Sequence, residues 1–276
     1  MGLQPEIASV QSQDGTTIAY DVVGSGPPLV FLHGLMTNRH RWSPVTALLG
    51  ESFTCVRIDA RGHGESSKAD DYGALAMAAD VHAVVNDLGI EAPAVVGHSL
   101  GGSTAAIFAL MHSARAIVVV EQSLRPGDFA VRVRPLEDRL RGEGFTEAML
   151  EFEAGLGIGP LGGPARAELE AAVRAADRDV VLGVWARLFS STDEELNAAM
   201  AAALPQLQAA CLSLHGSEPP DGYREWLTAR APHAEVEVWE GMGHFLHLVD
   251  PARFASRVRS FLSAPSRDPS RAAAHR

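Results

Sequence analysis

The stretch Pro93-Ala94-Val95-Val96-Gly97-His98-Ser99-Leu100-Gly101 decides how this chain is read. A short apolar run, strand-like in length, enters a turn built from small residues. The segment after it, Thr104–His112, is apolar with helical spacing. Strand, Gly-x-Ser-x-Gly and helix in that order are the context of a nucleophile elbow. The turn is tight and strained, so the positions flanking the serine must be small, and Gly97 and Gly101 meet that demand. Ser99 is expected to project above the sheet at the positive end of the helix. Serine is also a favoured N-cap residue, the plainer role. Pattern and context together favour the elbow.

Outward from this turn, strand-like and helix-like segments alternate. Ile7–Val10 and Thr16–Val23 read as antiparallel strands around Asp14-Gly15. Pro28–Leu32 is a buried strand ending in His33-Gly34, and Phe53–Ile58 leads into Asp59-Ala60-Arg61-Gly62-His63-Gly64. Tyr72–Asp87 has helical spacing, and Ala116–Val120 has the wholly apolar character of a central parallel strand. From Arg125 to Pro205 the alternation stops. This part is rich in Ala, Arg and Glu and reads as short helices broken at Gly142, Gly144 and residues 155–164. Strand signals return at Ala210–Leu214 and Glu235–Trp239, and a last helix is expected over Pro251–Leu262. Strands joined by helices imply a parallel sheet covered on both faces. A helical block inserted late in such a sheet would lie over the carboxyl ends of its strands, where open α/β sheets bind ligands.

Composition narrows the function classes. With 276 residues, 46% apolar and 21% charged, and a mean hydropathy of +0.03, the chain has globular values. Its net charge of −11 argues against nucleic-acid binding and attraction to an anionic membrane. Cys55 and Cys211 are too few for a disulfide framework or a zinc site and read as buried thiols. No apolar run approaches a membrane span. The first residues show neither a signal-peptide pattern nor a myristoylation pattern. The expectation is a cytoplasmic protein, monomer or homodimer, acting on a small molecule without metal or cofactor.

A serine hydroxyl is a weak nucleophile until a base takes its proton. Among eleven histidines, His244 is the candidate, in the loop Gly241-Met242-Gly243-His244 just after the last strand. His247 is the weaker one. Paired, the two could suggest a metal, but no carboxylate-rich site accompanies them. His33 and His98, at strand ends, read as structural through backbone hydrogen bonds. An oxyanion needs preorganised donors. The backbone N–H groups of Leu100, after the nucleophile, and Leu35, in His33-Gly34-Leu35-Met36, are the candidates.

Taken together, His33-Gly34, Asp59-Ala60-Arg61-Gly62-His63-Gly64-Glu65-Ser66, the Ser99 elbow and Gly243-His244 before Asp250-Pro251 resemble the α/β-hydrolases of the capped bacterial esterase and lactonase group. The resemblance covers about residues 5–262. It implies a mostly parallel eight-stranded sheet flanked by helices. Residues 1–124 and 206–262 would form the core, 125–205 a helical cap, and 263–276 a disordered tail. It also implies a Ser–acid–His triad.

The acid departs from the family pattern. Where relatives carry Gly-x-x-Asp after the strand ending at His215, this chain reads Gly216-Ser217-Glu218-Pro219. Asp221 falls two residues late and could simply cap a helix over Tyr223–Arg230. Glu218 falls one early. Glu121, ending the apolar strand Ala116–Val120, is the favoured acid. A carboxylate there is costly unless paired, and the His244 ring would supply the pairing. Some relatives resemble this arrangement in drawing their acid from that strand.

Candidate residues for an apolar pocket are His33, Met36, Phe129, Trp185, Phe189 and Phe245, together with Met149, Phe152 and Leu188; for any cap residue the plainer role is holding helices to the sheet. Gly157-Ile158-Gly159-Pro160-Leu161-Gly162 matches GxGxxG, but without a preceding strand it reads as a cap hinge. The expected reaction is hydrolysis of an ester or lactone through an acyl-enzyme. Carbon–carbon hydrolysis or perhydrolysis on the same triad, and a non-catalytic ligand-binding role, are the alternatives. Halide displacement and epoxide opening would need a carboxylate where Ser99 stands.

Overall fold

The computed structural model describes residues 5–264. Its eight strands are β1 (Ile7–Gln11), β2 (Thr17–Gly24), β3 (Pro28–Leu32), β4 (Thr54–Ile58), β5 (Ala94–His98), β6 (Ala116–Val120), β7 (Ala210–His215) and β8 (Glu235–Val238). They form one sheet in the order β1-β2-β4-β3-β5-β6-β7-β8. β1–β2 and β2–β4 pair antiparallel, and every other pair is parallel. The expected sheet is present, with element ends shifted by a few residues.

Alternation along the central strands sorts their side chains to two cores. On one face Val30, Leu32, Val56, Val95, Ile117 and Val119 pack beneath α2 (Ala74–Asp87) and α3 (Leu100–Met111). On the other, Leu29, Phe31, Cys55, Val96, Val118 and Val120 meet Trp42, Leu49 of α1 (Ser43–Leu49), and Phe254 and Val258 of the C-terminal helix Pro251–Ser263. β6 is buried at all five positions, as its unbroken apolar run requires. Both cysteines are free and buried, and burial pushes their thiols up to about 12.

Between β6 and β7 lie six helices: α4 (Pro126–Val133), α5 (Glu137–Arg141), α6 (Phe145–Gly155), α7 (Gly163–Arg174), α8 (Arg178–Ser190) and α9 (Asp193–Ala203). α10 (Tyr223–Thr228) joins β7 to β8. α11 (Leu246–Val249) and α12 (Pro251–Ser263) complete the chain. Arg41–Glu168 at 3.1 Å and Lys68–Asp177 tie the inserted helices to loops of the sheet. Within the insert, Val133, Leu140, Phe145, Met149, Phe152 and Trp185 make a separate small core. The tail expected to be disordered lies, from residue 265 onward, outside the described residues; Ser263 ends α12. No helix among the described residues is long and apolar enough to cross a membrane.

The loop from Asp59 to Ser66 is held by buried charge. Asp59 accepts from Arg39 N–H at 2.7 Å and Glu65 N–H at 3.0 Å, and it pairs with the Arg39 guanidinium. A side chain on Gly64 would run into the Asp59 carboxylate, so this position needs glycine. Arg61 clasps Asp80 of α2 in a bidentate pair at 2.7 and 2.6 Å. Removing one partner of such a pair leaves a buried charge uncompensated. Arg61→Ala is therefore expected to cost ~3–5 kcal/mol of stability, read as a lower urea midpoint. A loss below ~1 kcal/mol would place the pair with ordinary surface bridges.

Candidate active site

Ser99 and Glu121 stand one residue past the ends of the adjacent strands β5 and β6. The hydrogen bonding of the sheet continues through both: Ser99 N–H donates to Val120 O and Glu121 N–H to Leu214 O, each at 2.9 Å. Both have φ of 51°, and with Met36 they are the non-glycine residues of positive φ among the described residues. Such a conformation costs on the order of 1–3 kcal/mol in a non-glycine residue and persists only where surrounding structure enforces it.

The elbow shows what enforces it. A Cβ on Gly97 would lie 2.0 Å from Gly101 O, and one on Gly101 would lie 2.3 Å from Leu32 O. Strand β5, helix α3 and the end of β3 thus meet at backbone distance. A Cβ on Gly34 would lie 3.3 Å from Ser99 Cβ, which puts the loop after β3 directly beside the nucleophile candidate. The N–H groups of Leu35 and Leu100 have no acceptor among the described residues. That of Leu100 opens α3, where the helix itself supplies no carbonyl.

His244 follows β8 and is 6% exposed. Its Nδ1 lies 3.5 Å from Glu121 Oε2, and the other carboxylate oxygen, Oε1, accepts from Gly216 N–H. Burial works against ionisation of Glu121. His244 and the Gly216 N–H outweigh it and hold the carboxyl below its ordinary value. With Nδ1 turned to Glu121, the Nε2 end of the ring is left for the cavity that Ser99 also borders. The Ser99 hydroxyl makes no hydrogen bond to His244. Catalytic hydrogen bonds are commonly loose without substrate and tighten in its complex.

The other candidate acids are placed differently. Asp221 is exposed, its side chain has no partner among the described residues, and its carbonyl accepts from Arg125 at 3.0 Å. It does not cap the following helix either: left-handed Gly222 holds that position, with no side-chain cap. Glu218 borders the cavity, exposed and without a partner among the described residues.

Neutral histidines pack around the site. His33 accepts Ala60 N–H at Nε2, 3.0 Å, so its Nδ1–H donates to Gly34 O at 2.7 Å. Burial, with His63 nearby, lowers it to about 4. His98 shares a hydrogen bond of 2.8 Å between Nε2 and the His244 carbonyl, and the two rings lie 4.7 Å apart. Burial and the neighbouring His247 and His244 keep His98 well below its ordinary value. Burial, His244 and Arg41 lower His247 to about 3. No group of three or more metal-ligating side chains occurs among the described residues.

The cavity at Ser99 measures about 340 Å³. Its wall mixes polar and apolar groups, where the sequence suggested an apolar pocket. Gln122, Ser123, Asp128, Arg132, Ser217 and Glu218 border it beside Phe129 and Leu156. Of the lining candidates only Phe129 does so. Trp185 stacks edge-on against Phe152, Phe129 and Phe189 within the insert's own core. Phe245 is buried against Leu161 and Leu169, Met36 packs beside the insert core, and His33 is spent on backbone groups. Aromatic residues on amphipathic helices bury where the helices touch each other, as Trp185 and Phe189 do within the insert. The polar residues of the cavity wall come partly from α4, through Asp128 and Arg132, and partly from the loops after β6 and β7, whose folding carries no periodic signal.

Residues 29–257 match the model of the alpha/beta hydrolase family. The chain belongs to that family. This alpha/beta hydrolase is 44% identical over 102 residues to a fluoroacetate dehalogenase from Burkholderia sp., covering 35% of this chain and 34% of the dehalogenase. The chain spans about a third of the length of this and other curated relatives. Among solved structures, the esterase EaEST from Exiguobacterium antarcticum superimposes with a TM-score of 0.81 at 21% identity, over 93% of this chain and 99% of the esterase. Est816, described as an N-acyl homoserine lactone degrading enzyme, superimposes with a TM-score of 0.74 at 25% identity, over 92% of this alpha/beta hydrolase and all of Est816.

Proposed function

We propose that this alpha/beta hydrolase is a serine hydrolase that cleaves a small carboxylic ester or lactone through an acyl-enzyme. The observation that carries this reading is the convergence of Ser99, Glu121 and His244 on one cavity edge, with Ser99 and Glu121 in the same costly backbone conformation at adjacent strand ends. In the proposed reaction Ser99 Oγ attacks the substrate carbonyl while His244 Nε2 takes the hydroxyl proton. The oxyanion that forms is held by the N–H groups of Leu35 and Leu100. Glu121 holds the imidazole tautomer and stabilises the imidazolium. As the tetrahedral intermediate collapses, the C–O bond to the alcohol breaks and His244 returns its proton to the leaving oxygen. Water, deprotonated by the same histidine, then releases the acid and restores Ser99. Residues 125–205 serve as the cap that shapes the cavity.

The lactone-degrading activity named for Est816 supports including lactones. Ser99 in place of a carboxylate argues against the halide chemistry named for the Burkholderia relative. Incubation with a fluorophosphonate tests the reading. Covalent modification at Ser99, together with turnover of short p-nitrophenyl esters, is the expected result. An unmodified Ser99 would sink it in favour of a ligand-binding role.

A further inference from the structure

The loop Gly157-Ile158-Gly159 is absorbed by none of these roles, and it touches the base loop at backbone distance. His244 N–H donates to Gly157 O at 2.9 Å. A Cβ on Gly159 would lie 2.3 Å from Met242 O, and one on Gly243 would lie 2.4 Å from both Gly157 O and Gly159 N. From the opposite side Gly243 N–H donates to Gly216 O at 3.0 Å, and a Cβ on Gly216 would lie 2.2 Å from Gly243 O. Gly157 and Gly159 each have φ of 68°, and Gly243 has 66°. Gly159, Gly243 and Gly216 therefore stack the insert loop, the His244 loop and the end of β7 without intervening side chains, and Gly157 contributes its carbonyl. Gly216 is also the residue whose N–H holds Glu121.

The insert loop is itself anchored. Arg132 of α4 donates to Gly155 O at 2.5 Å, and Ile158 packs with Leu161, Leu169 and Phe245. Gly155, Leu156 and Gly157 border the cavity at Ser99.

We infer that Gly157-Ile158-Gly159 is a positioning element that clamps the backbone of His244, so that the base is in register only while the inserted helices are seated on the sheet. This rests on the serine hydrolase reading for its catalytic consequence. A hinge would leave the loop free to move, whereas this one is packed against the base at three backbone contacts. Displacing a reacting group by about 1 Å costs on the order of a hundredfold in rate.

The test is Gly159→Ala, set beside Gly162→Ala. Gly162 is in the same loop with φ of −63° and nothing within 4 Å of an added Cβ. Gly159→Ala is expected to lower kcat for a short p-nitrophenyl ester by roughly 10- to 100-fold at a KM changed less than about twofold. Gly162→Ala leaves both unchanged. In protein carrying ¹³C-labelled histidine, the His244 Cε1 signal should shift in Gly159→Ala and not in Gly162→Ala. If Gly159→Ala does not fold, Ile158→Ala loosens the same loop with no added atom, and a lowered kcat at constant KM with a shifted His244 signal is expected. Unaltered kcat and an unmoved His244 signal in the folded variant overturn the clamp. Equal losses in both glycine variants overturn it as well. Wild-type protein that neither hydrolyses esters nor takes up fluorophosphonate overturns the hydrolase reading instead, and the His244 signal still decides the clamp.

Discussion

Ser99→Ala should lower kcat for the proposed ester hydrolysis by on the order of 10⁶, since the members of a catalytic triad act as a unit. The variant keeps what holds the elbow. The N–H at position 99 still reaches Val120 O, and Gly97 and Gly101 still admit the close approach of α3 and β3. Alanine bears the same positive φ as serine at no greater steric cost, so the thermal unfolding midpoint should stay near that of wild type. The Leu35 and Leu100 N–H groups also remain, and substrate binding with them. Steady-state kinetics on short aryl esters, read beside thermal unfolding, checks this. Residual activity above roughly a hundredth of wild type would mean that the nucleophile is elsewhere or that no acyl-enzyme forms.

Glu121→Gln is expected to lower kcat by ~10⁴, while Asp221→Asn leaves it within about twofold. The reason is a tautomer. The substituted glutamine is nearly isosteric, and its Oε1 still accepts Gly216 N–H. It then presents an amide N–H to His244 Nδ1 where a carboxylate stood at 3.5 Å. The imidazole answers by accepting at Nδ1 and carrying its proton on Nε2, where it has no lone pair for the Ser99 proton. The stabilising charge beside the imidazolium is lost as well. In wild type the same contacts hold Glu121 below its ordinary value, so it stays ionised through mildly acidic pH. The measurement is kcat for both variants at neutral pH with unfolding midpoints beside it. The reverse outcome, with Asp221→Asn the impaired variant, would move the acid role to the exposed loop after β7.

Different parts of this site were legible in the sequence to different degrees, for physical reasons. Ser99 was readable because an elbow is a local demand: two small residues within one turn, between a strand and a helix. The departure at Pro219 was equally local, and it turned attention to Glu121 because a charge ending an apolar strand has to find a partner. Which partner it found was a matter of fold, since Glu121, Gly216 and His244 are 95 and 28 positions apart in successive steps along the chain. His98 and His33 were readable as structural, but not that His98 holds the carbonyl of His244. The cavity wall was the least legible part, because it joins one face of α4 to loops after β6 and β7 that follow no period.

Gly157-Ile158-Gly159 shows the division most plainly. A Gly-x-Gly without a preceding strand signalled only that backbone there must come close to something. What it approaches depends on how the inserted helices sit on the sheet. By itself, then, the sequence determined the elements, the layered class of the fold and the strained serine turn, since periodicity, turn chemistry and steric demand act over a few residues. Only the tertiary structure placed the Glu121 carboxylate beside His244, built the mixed wall of the cavity and brought the insert loop onto the His244 loop. Those depend on surfaces that meet only when the sheet has assembled.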